Sequence, residues 1–287
     1  MPNTAHTYIL IFSCQDKPGI VAAVAGFLAD HGCNILESQQ YGDAVTGRFF
    51  MRTAFAPVGK PQTLASLYAQ FSSVADHFGM NWELHDTDRK ARVVIAVSKS
   101  GHCLNHLLHR YANGKLPVEI PAVISNHPDL KQMVEWYDIP FYHLPVTPET
   151  KPAQEARILA LMQEAQADVL VLARYMQILS PALSEKLKGR AINIHHSFLP
   201  SFKGAEPYKQ AYERGVKIIG ATAHYVTGDL DEGPIIEQEV TRVDHAHTPE
   251  QLKLLGQDIE SQVLYRALTC HIEHRVLING LKTVVFR

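Results

Sequence analysis

The spacing of apolar residues changes along this chain and divides it into two parts. In the first part, the runs over 8–12, 34–40, 48–56 and 80–85 are interpreted as strands. Two segments between these runs, 20–30 and 64–77, show helical spacing instead, as in Val21, Val24 and Leu28. The order strand, helix, strand, strand, helix, strand predicts a ferredoxin-like βαββαβ unit over residues 1–86.

A second part begins after the charged segment Asp86-Thr87-Asp88-Arg89-Lys90. The run Val93–Val97 is almost continuously apolar, which is typical of a strand buried in a parallel sheet. Further strand-like runs at 118–124, 141–144 and 169–172 alternate with helical segments at 102–111, 131–137 and 153–166. This alternation predicts a Rossmann-like open α/β sheet over 87–287, with a long amphipathic helix over 251–278 and a last strand over 282–286.

Composition excludes several classes of function. The net charge is only −2, so nucleic acid is not expected as a partner. No apolar run approaches ~20 residues, so a membrane span is not expected either. The four cysteines are scattered and the first residues lack a signal-peptide pattern, which together predict a cytoplasmic protein with reduced thiols.

Polar side chains with acyl-transfer chemistry follow two apolar runs of the second part. Asn193 and His195 lie two residues apart, so on a strand they face the same side and can reach one carbonyl oxygen. Asp231 follows a second run that contains His224. An amide, an imidazole and a carboxylate can together hydrolyse or transfer a small acyl group without a metal ion.

Two other histidines lie close to these residues in sequence. Strand alternation predicts that His196 points away from His195. His224 is interpreted either as a residue that supports Asp231 or as a buried, hydrogen-bonded histidine of the core.

The motifs around these residues resemble a known family. Asn-x-His-x-Ser-x-Leu-Pro at 193–200 and His-x-Val-Thr-x-x-Leu-Asp-x-Gly-Pro at 224–234 are similar to the signature of formyltransferases that use 10-formyltetrahydrofolate. The segment 174–180 is similar to the folate-pocket segment of that family. The resemblance implies that Asn193 and His195 stabilise the oxyanion of a tetrahedral intermediate and that Asp231 polarises the attacking water. The substrate-binding residues that it implies are Met176, Ile178, Leu179, Val226 and Leu230.

Two branches of the family differ in the acceptor of the formyl group. Glycinamide ribonucleotide formyltransferases cradle the acceptor's phosphate on a Ser-Gly-x-Gly-x-Asn-Leu loop after the first strand. The matching stretch here is Ser98-Lys99-Ser100-Gly101-His102-Cys103-Leu104, in which His102 and Cys103 would obstruct a backbone phosphate cradle. With this altered loop, the sequence resembles the formyltetrahydrofolate deformylases. The resemblance implies hydrolysis of 10-formyltetrahydrofolate to tetrahydrofolate and formate. Such an enzyme would supply formate for purine synthesis and balance one-carbon pools; transfer to an amine acceptor such as glycinamide ribonucleotide is the alternative.

Two other classes of function fit the sequence less well. The chain has sixteen histidines but no His-Glu-x-x-His motif, and the nearest spacing is His271-Ile272-Glu273-His274. We therefore expect neither a metal nor another cofactor. A purely regulatory protein with a decayed α/β domain is disfavoured because Asn193, His195 and Asp231 are all present.

The first part carries a second resemblance. Asp16-x-Pro18-Gly19-Ile20 after the first strand, with Asn34 entering the second strand, is similar to the ACT domain, a small amino-acid-sensing module. The resemblance implies that a free amino acid binds near Asp16, Gly19, Ile20 and Asn34. Because formyl-folate hydrolysis consumes one-carbon units, we expect an amino acid tied to that pool, glycine or methionine. The resemblance also implies a homo-oligomer, a dimer or tetramer, in which the exposed strand edges pair. The same residues could instead form only a helix cap and a tight turn.

Overall fold

An antiparallel sheet of four strands forms the centre of the first of two structural units. The computed structural model describes residues 6–59, 62–197 and 207–287. The first unit contains the residues up to Lys90 together with Glu273–Asn279 and Val284–Arg287; the second contains Ala91–Ile272 and Gly280–Thr283. The predicted domain boundary at residues 86 and 87 stays a prediction, because these units are defined by spatial contacts and cross the chain more than once.

The first unit has the predicted βαββαβ order. Its elements are β1 (Tyr8–Gln15), α1 (Ile20–Asp30), β2 (Cys33–Asp43), β3 (Arg48–Pro57), α2 (Leu64–Phe78) and β4 (Asn81–Asp86). All strand pairs are antiparallel, in the order β2-β3-β1-β4. The ferredoxin-like prediction is therefore confirmed.

Local signals in the sequence set the ends of the two helices. Gly19 precedes α1 with a φ of 95°, a left-handed conformation that glycine adopts without a steric penalty. The hydroxyl of Thr63 caps α2 by accepting a hydrogen bond from the Ser66 amide at 3.2 Å. Both helices bury an apolar stripe, including Val24, Leu28 and Phe71, against one face of the sheet.

The second unit is an open α/β sheet of seven strands in the order β11-β10-β9-β8-β5-β6-β7. Its elements are β5 (Ala91–Val97), α3 (His102–Ala112), β6 (Val118–Ser125), α4 (Lys131–Glu135), β7 (Phe141–His143), α5 (Lys151–Glu164), β8 (Val169–Leu172), α6 (Pro181–Lys186), β9 (Ala191–His195), α7 (Pro207–Arg214), β10 (Ile218–Tyr225), β11 (Ile235–Arg242) and α8 (Pro249–Ile272). The strands from β9 to β7 are parallel, whereas β10 and β11 pair antiparallel. The Rossmann-like prediction is therefore confirmed.

The last helix is shorter than its apolar pattern predicts. Helix α8 ends at Ile272, and the chain then forms a hairpin of β12 (Val276–Asn279) and β13 (Lys282–Val285). The helix predicted over 273–278 is wrong there, because His274 takes a φ of 52° and the backbone leaves the helix. The last strand is present, although the histidines of His271-Ile272-Glu273-His274 do not share a helix face.

No helix among residues 6–59, 62–197 and 207–287 combines the length and apolar character needed to cross a membrane.

Candidate active site

Asn193 and His195 lie at the carboxyl end of β9, where the parallel part of the sheet meets its antiparallel part. Strand β9 pairs with β8 on one side and with β10 on the other, and β10 places His224 opposite Asn193. Ligands of open α/β sheets bind outside the carboxyl ends of the strands. Strand alternation brings Asn193 and His195 to one cavity, as predicted.

Asp231 reaches the same place on the loop that joins β10 to β11. The loop folds tightly back onto β10, because the Tyr225 amide donates to the Pro234 carbonyl at 2.9 Å. A side chain at Gly233 would overlap the Tyr225 carbonyl oxygen, so only glycine allows this approach. Asp231 itself has a φ of 58°, a strained conformation of the kind found at functional sites.

The Asp231 carboxylate lies between two imidazole rings. Its Oδ2 is 3.2 Å from Nδ1 of His195, and its Oδ1 is 3.6 Å from Nε2 of His224. Burial by itself raises the pKa of Asp231, but the hydrogen bond from His195 and the imidazole rings beside the carboxylate outweigh burial and hold the pKa well below its usual range. Asp231 is therefore ionised at neutral pH.

His224 fixes the orientation of the Asn193 amide. Its Nδ1 lies 2.9 Å from the Tyr225 carbonyl oxygen and must donate there, so in the neutral ring Nε2 is an acceptor. The Asn193 Nδ2 lies 3.2 Å from that Nε2, which turns the amide nitrogen toward His224 and leaves its second N–H to the cavity. With 2% of its surface exposed, His224 is the buried, hydrogen-bonded histidine that the sequence allowed, and its ring also lies beside Asp231.

His196 does not point away from His195, so the prediction from strand alternation is wrong. Strand β9 ends at His195, and beyond it the rings of His195 and His196 stack with their centroids 4.8 Å apart. The Arg174 guanidinium donates from Nη1 to Nδ1 of His196 at 2.6 Å. Burial, followed by the nearby Arg174 and His195, lowers the pKa of His196 to about 4, so the ring is neutral at physiological pH.

The cavity at these strand ends has a volume of about 320 Å³. All of the predicted catalytic and substrate-binding residues line it: Met176, Ile178, Leu179, Asn193, His195, Val226, Leu230 and Asp231. Met176, Ile178 and Leu230 are more than half exposed, whereas Leu179 and Val226 also pack into the hydrophobic core. The cavity therefore presents apolar side chains to solvent beside a polar centre, which is the usual form of a small-molecule site. Of the signature motif, Phe198, Leu199 and Pro200 lie outside the described residues.

The loop that carries Met176 is held by the end of β5, the strand at which the order of strands in the sheet reverses. Ser98, directly after β5, is buried and donates from Oγ to Oδ1 of Asn126 at 2.7 Å. The same Oγ accepts from the Met176 amide at 2.9 Å, and the Ser98 amide donates to the Arg174 carbonyl. The ends of β5 and β8 thus fix the wall of the cavity.

The residues predicted to bind an amino acid lie at two separate places in the first unit. Asp16 and Gly19 are exposed before α1 and Ile20 is buried as its first residue, whereas Asn34 is exposed after the helix has ended. The sheet register agrees, because Asn34 pairs with Ala56 at one end of β3 and Gln15 pairs with Arg48 at the other. One copy of the chain does not bring the two groups together.

We expect His196 to make folding sensitive to acid. Its folded pKa is about 4 against 6.5 for an ordinary histidine, so between these values the unfolded chain binds a proton that the folded chain does not. The free energy of unfolding should therefore fall by about 2–3 kcal/mol from this group as the pH drops from 7 to 4.5. Urea unfolding at the two pH values, for wild type and His196→Asn, measures this loss; the variant should show the smaller drop.

Exposed His245 provides the control, since His245→Asn removes a histidine outside the cavity. A wild-type drop that is unchanged in His196→Asn would contradict the prediction. Protonation of Asp231 should reduce the free energy of unfolding only at lower pH. Its pKa is depressed, so its carboxylate is protonated only in stronger acid.

Comparison with known proteins agrees with both resemblances. The family model described as formyl transferase matches residues 91–268, and the ACT domain model matches residues 8–70. A formyltetrahydrofolate deformylase from Corynebacterium sp. (strain P-1) is 50% identical over 280 residues, covering 98% of each chain.

Solved structures extend this comparison. A formyltetrahydrofolate deformylase from Pseudomonas syringae pv. tomato superposes with a TM-score of 0.96 and 49% identity, covering 100% of this chain and 96% of that one. A glycinamide ribonucleotide transformylase from Symbiobacterium toebii is 28% identical with a TM-score of 0.65, covering 71% of this chain and 98% of that one. Identity near 50% over the whole length, with both family models matched in order, shows that the chain belongs to the formyltetrahydrofolate deformylase family.

Proposed function

We propose that the protein hydrolyses 10-formyltetrahydrofolate to tetrahydrofolate and formate. The observation that carries this proposal is the convergence of Asn193, His195 and Asp231 on one cavity, with Asp231 held between two imidazole rings. The relatives that match the whole chain are named for this reaction, whereas the match to the transformylase covers 71% of it.

Each group has a distinct task in this reaction. Water adds to the formyl carbon, and the carbonyl oxygen becomes negative in the tetrahedral intermediate. The free N–H of Asn193 donates to that oxygen, and His195, whose Nε2 has no hydrogen-bond partner among the described residues, is a second group that can reach it. Asp231 holds the water and accepts its proton as the C–O bond forms. The C–N bond then breaks, and the folate nitrogen leaves with a proton.

We place the pterin and its linker against the exposed apolar side chains of the cavity. Met176, Ile178 and Leu230 are 59%, 57% and 56% exposed, and together they offer a surface that a flat ring system can cover. Leu179 and Val226 lie behind them and support this surface. The backbone of the loop from Val226 to Leu230 lies beside the same cavity, where it can reach the polar edge of the ring.

Replacing an exposed apolar side chain of the cavity by a carboxylate should weaken substrate binding. We expect Met176→Glu or Leu230→Glu to raise KM by about tenfold or more, which corresponds to ~1.4 kcal/mol of lost binding energy. Steady-state kinetics with 10-formyltetrahydrofolate measure the change. Leu254→Glu is the matched control, because Leu254 is 63% exposed on α8 and does not line the cavity. A KM that moves equally in all three variants would assign the effect to charge alone.

The direct test is the purified protein with 10-formyltetrahydrofolate, with and without glycinamide ribonucleotide and a chelator. We expect formate and tetrahydrofolate in equal amounts, at a rate that neither addition changes, because the proposed mechanism uses no metal or cofactor. Rapid formylation of the ribonucleotide would favour the transferase alternative. Loss of activity with the chelator would instead show that a metal takes part.

For the first unit, we propose regulation by a free amino acid in a homo-oligomer. The ACT domain match supports this type of binding. Because α1 separates Asp16, Gly19 and Ile20 from Asn34 in one chain, a site that uses both groups requires two copies of the chain. We further propose that the protein acts in the cytoplasm as a dimer or tetramer.

Glycine or methionine should change the turnover of the wild-type protein and leave Asp16→Ala less responsive. Turnover against a panel of free amino acids, with light scattering of the same samples, measures both parts of the proposal. Asp76→Ala provides a control, since Asp76 is an exposed carboxylate on α2. A monomer whose activity ignores every amino acid would show that the first unit has no such role.

A further inference from the structure

A buried carboxylate lies beside the proposed active site without belonging to it. Glu260, on α8, is only 1% exposed. Its Oε2 lies 2.8 Å from Nε2 of His102, and its Oε1 accepts from the Tyr208 hydroxyl at 2.6 Å. Burial raises the pKa of Glu260, but His102, Arg174 and Tyr208 outweigh this and lower it, so the carboxylate is ionised.

Arg174 connects this carboxylate to the catalytic histidine. Its Nε lies 3.4 Å from Oε2 of Glu260, and its Nη1 donates to His196, whose ring stacks on His195. A continuous line of contacts thus runs from His102, at the start of α3, to His195. Arg174, His195 and His196 all line the cavity.

Two backbone features keep this line in place. Arg174 has a φ of 63°, a conformation that suits glycine far better than a long side chain. On α8, a side chain at Gly256 would overlap the Tyr208 ring, so only glycine lets the hydroxyl reach Glu260. Placing Arg174 at a position that favours glycine indicates that its side chain has a role there.

The residues around Glu260 also differ from those of a metal site. His102, Cys103 and Glu260 lie close enough to share an ion. However, burial raises the pKa of the Cys103 thiol, and Arg174 already places a positive charge next to Glu260. A cation would therefore meet a protonated thiol and a guanidinium, which disfavours binding.

The line of contacts joins the start of α3 to His195, the two places that an amine acceptor held at the loop Ser98–Leu104 would have to span. An acceptor whose phosphate bound the loop Ser98–Leu104 would extend from the start of α3 toward the formyl carbon beside His195. Here His102 from that loop lies 2.8 Å from Glu260, and Arg174 and His196 continue the contacts to His195.

We propose that Arg174, held by Glu260, determines the specificity for water by filling the approach of an amine to His195. This inference rests on the proposed hydrolysis. In hydrolysis, water forms a C–O bond to the formyl carbon while the folate C–N bond breaks, and the folate nitrogen takes up a proton. In transfer, an amine forms the new C–N bond instead, and the proton that it loses goes to the folate nitrogen. The atoms that differ are only those of the nucleophile, so steric access and local charge decide between the reactions.

The test is the ratio of formylated amine to formate, with glycinamide as the probe. The variants are Arg174→Gly, which suits the left-handed backbone, and the double variant Arg174→Ala with Glu260→Gln, which leaves no unpaired buried charge. We expect the ratio in wild type to stay at the background measured without enzyme, and each variant to raise it at least tenfold above that background. Arg174→Lys, which keeps the charge and most of the length, should retain the wild-type ratio.

A matched control removes an exposed pair of the same type, Arg266→Ala with Glu239→Gln. The ratio counts products per turnover, so it does not depend on the fraction of each variant that folds. An unchanged ratio in a variant that still releases formate would overturn the inference. So would complete loss of turnover in both variants, because Arg174 would then be needed for hydrolysis itself. If wild type releases no formate, the proposed function fails instead.

Discussion

Replacing Asp231 by asparagine should lower kcat by roughly a thousandfold while leaving folate affinity nearly unchanged. The carboxylate lies 3.2 Å from His195 and accepts the proton of the attacking water, a task that an amide cannot perform. Asparagine has the same shape and tolerates the left-handed backbone of this position, so the loop is expected to keep its conformation. Formate release gives kcat, and calorimetric titration with tetrahydrofolate gives the affinity. His195→Ala removes the partner of Asp231 and should reduce kcat by a similar factor.

The control for this experiment is a second aspartate–histidine pair. Asp244 lies 2.8 Å from Nδ1 of His247 in an exposed loop away from the cavity. Asp244→Asn therefore makes the same chemical change and should leave kcat within a factor of two of wild type. If Asp231→Asn retained more than a tenth of the wild-type kcat, Asp231 would not be the general base.

Asn193→Ala should lower kcat by about 100- to 1000-fold with little change in KM, because its free N–H acts on an oxygen that becomes negative only in the transition state. The substitution also removes the hydrogen bond to Nε2 of His224, which adds to the loss. Measurement of kcat and KM separately distinguishes this result from a general loss of binding.

Another asparagine–histidine contact provides the comparison. Asn113, at the end of α3, is exposed and lies 3.2 Å from Nε2 of His109. Asn113→Ala removes a similar contact outside the cavity and should leave kcat unchanged. A rise in KM alone in Asn193→Ala would mean that Asn193 binds the ground state and not the transition state.

The order of strands and helices up to β8 could be predicted because each of those elements carries its own periodicity. The error at the end of α8 has a specific cause. Val276, Leu277 and Ile278 continue an apolar pattern that also fits a helix, and the sequence gives no direct sign of the left-handed turn at His274. One signal was available, since Asn279-Gly280 between two apolar runs is typical of a tight hairpin turn.

In the candidate site, contacts within one strand could be predicted from the sequence, whereas contacts between residues far apart in sequence could not. Asn193 and His195 share a strand, so their common direction follows from the period of two. His196 does not follow this rule because the strand ends before it. The contact between Arg174 and Glu260 joins residues far apart in sequence, and no periodic pattern relates them.

The return of the last residues to the first unit affects the order in which the protein can fold on the ribosome. Leu277 and Phe286 pack with Phe50, and the Asn279 side chain donates to the Asp43 carboxylate at 2.7 Å in a buried position. Since domains fold as they emerge during synthesis, Ala91–Ile272 of the α/β unit leave the exit tunnel before these residues do. Until then, Phe50 and Asp43 lack these partners. The first unit to be translated is therefore the last to be finished, and a fragment that ends after β4 exposes an apolar patch which the full chain covers.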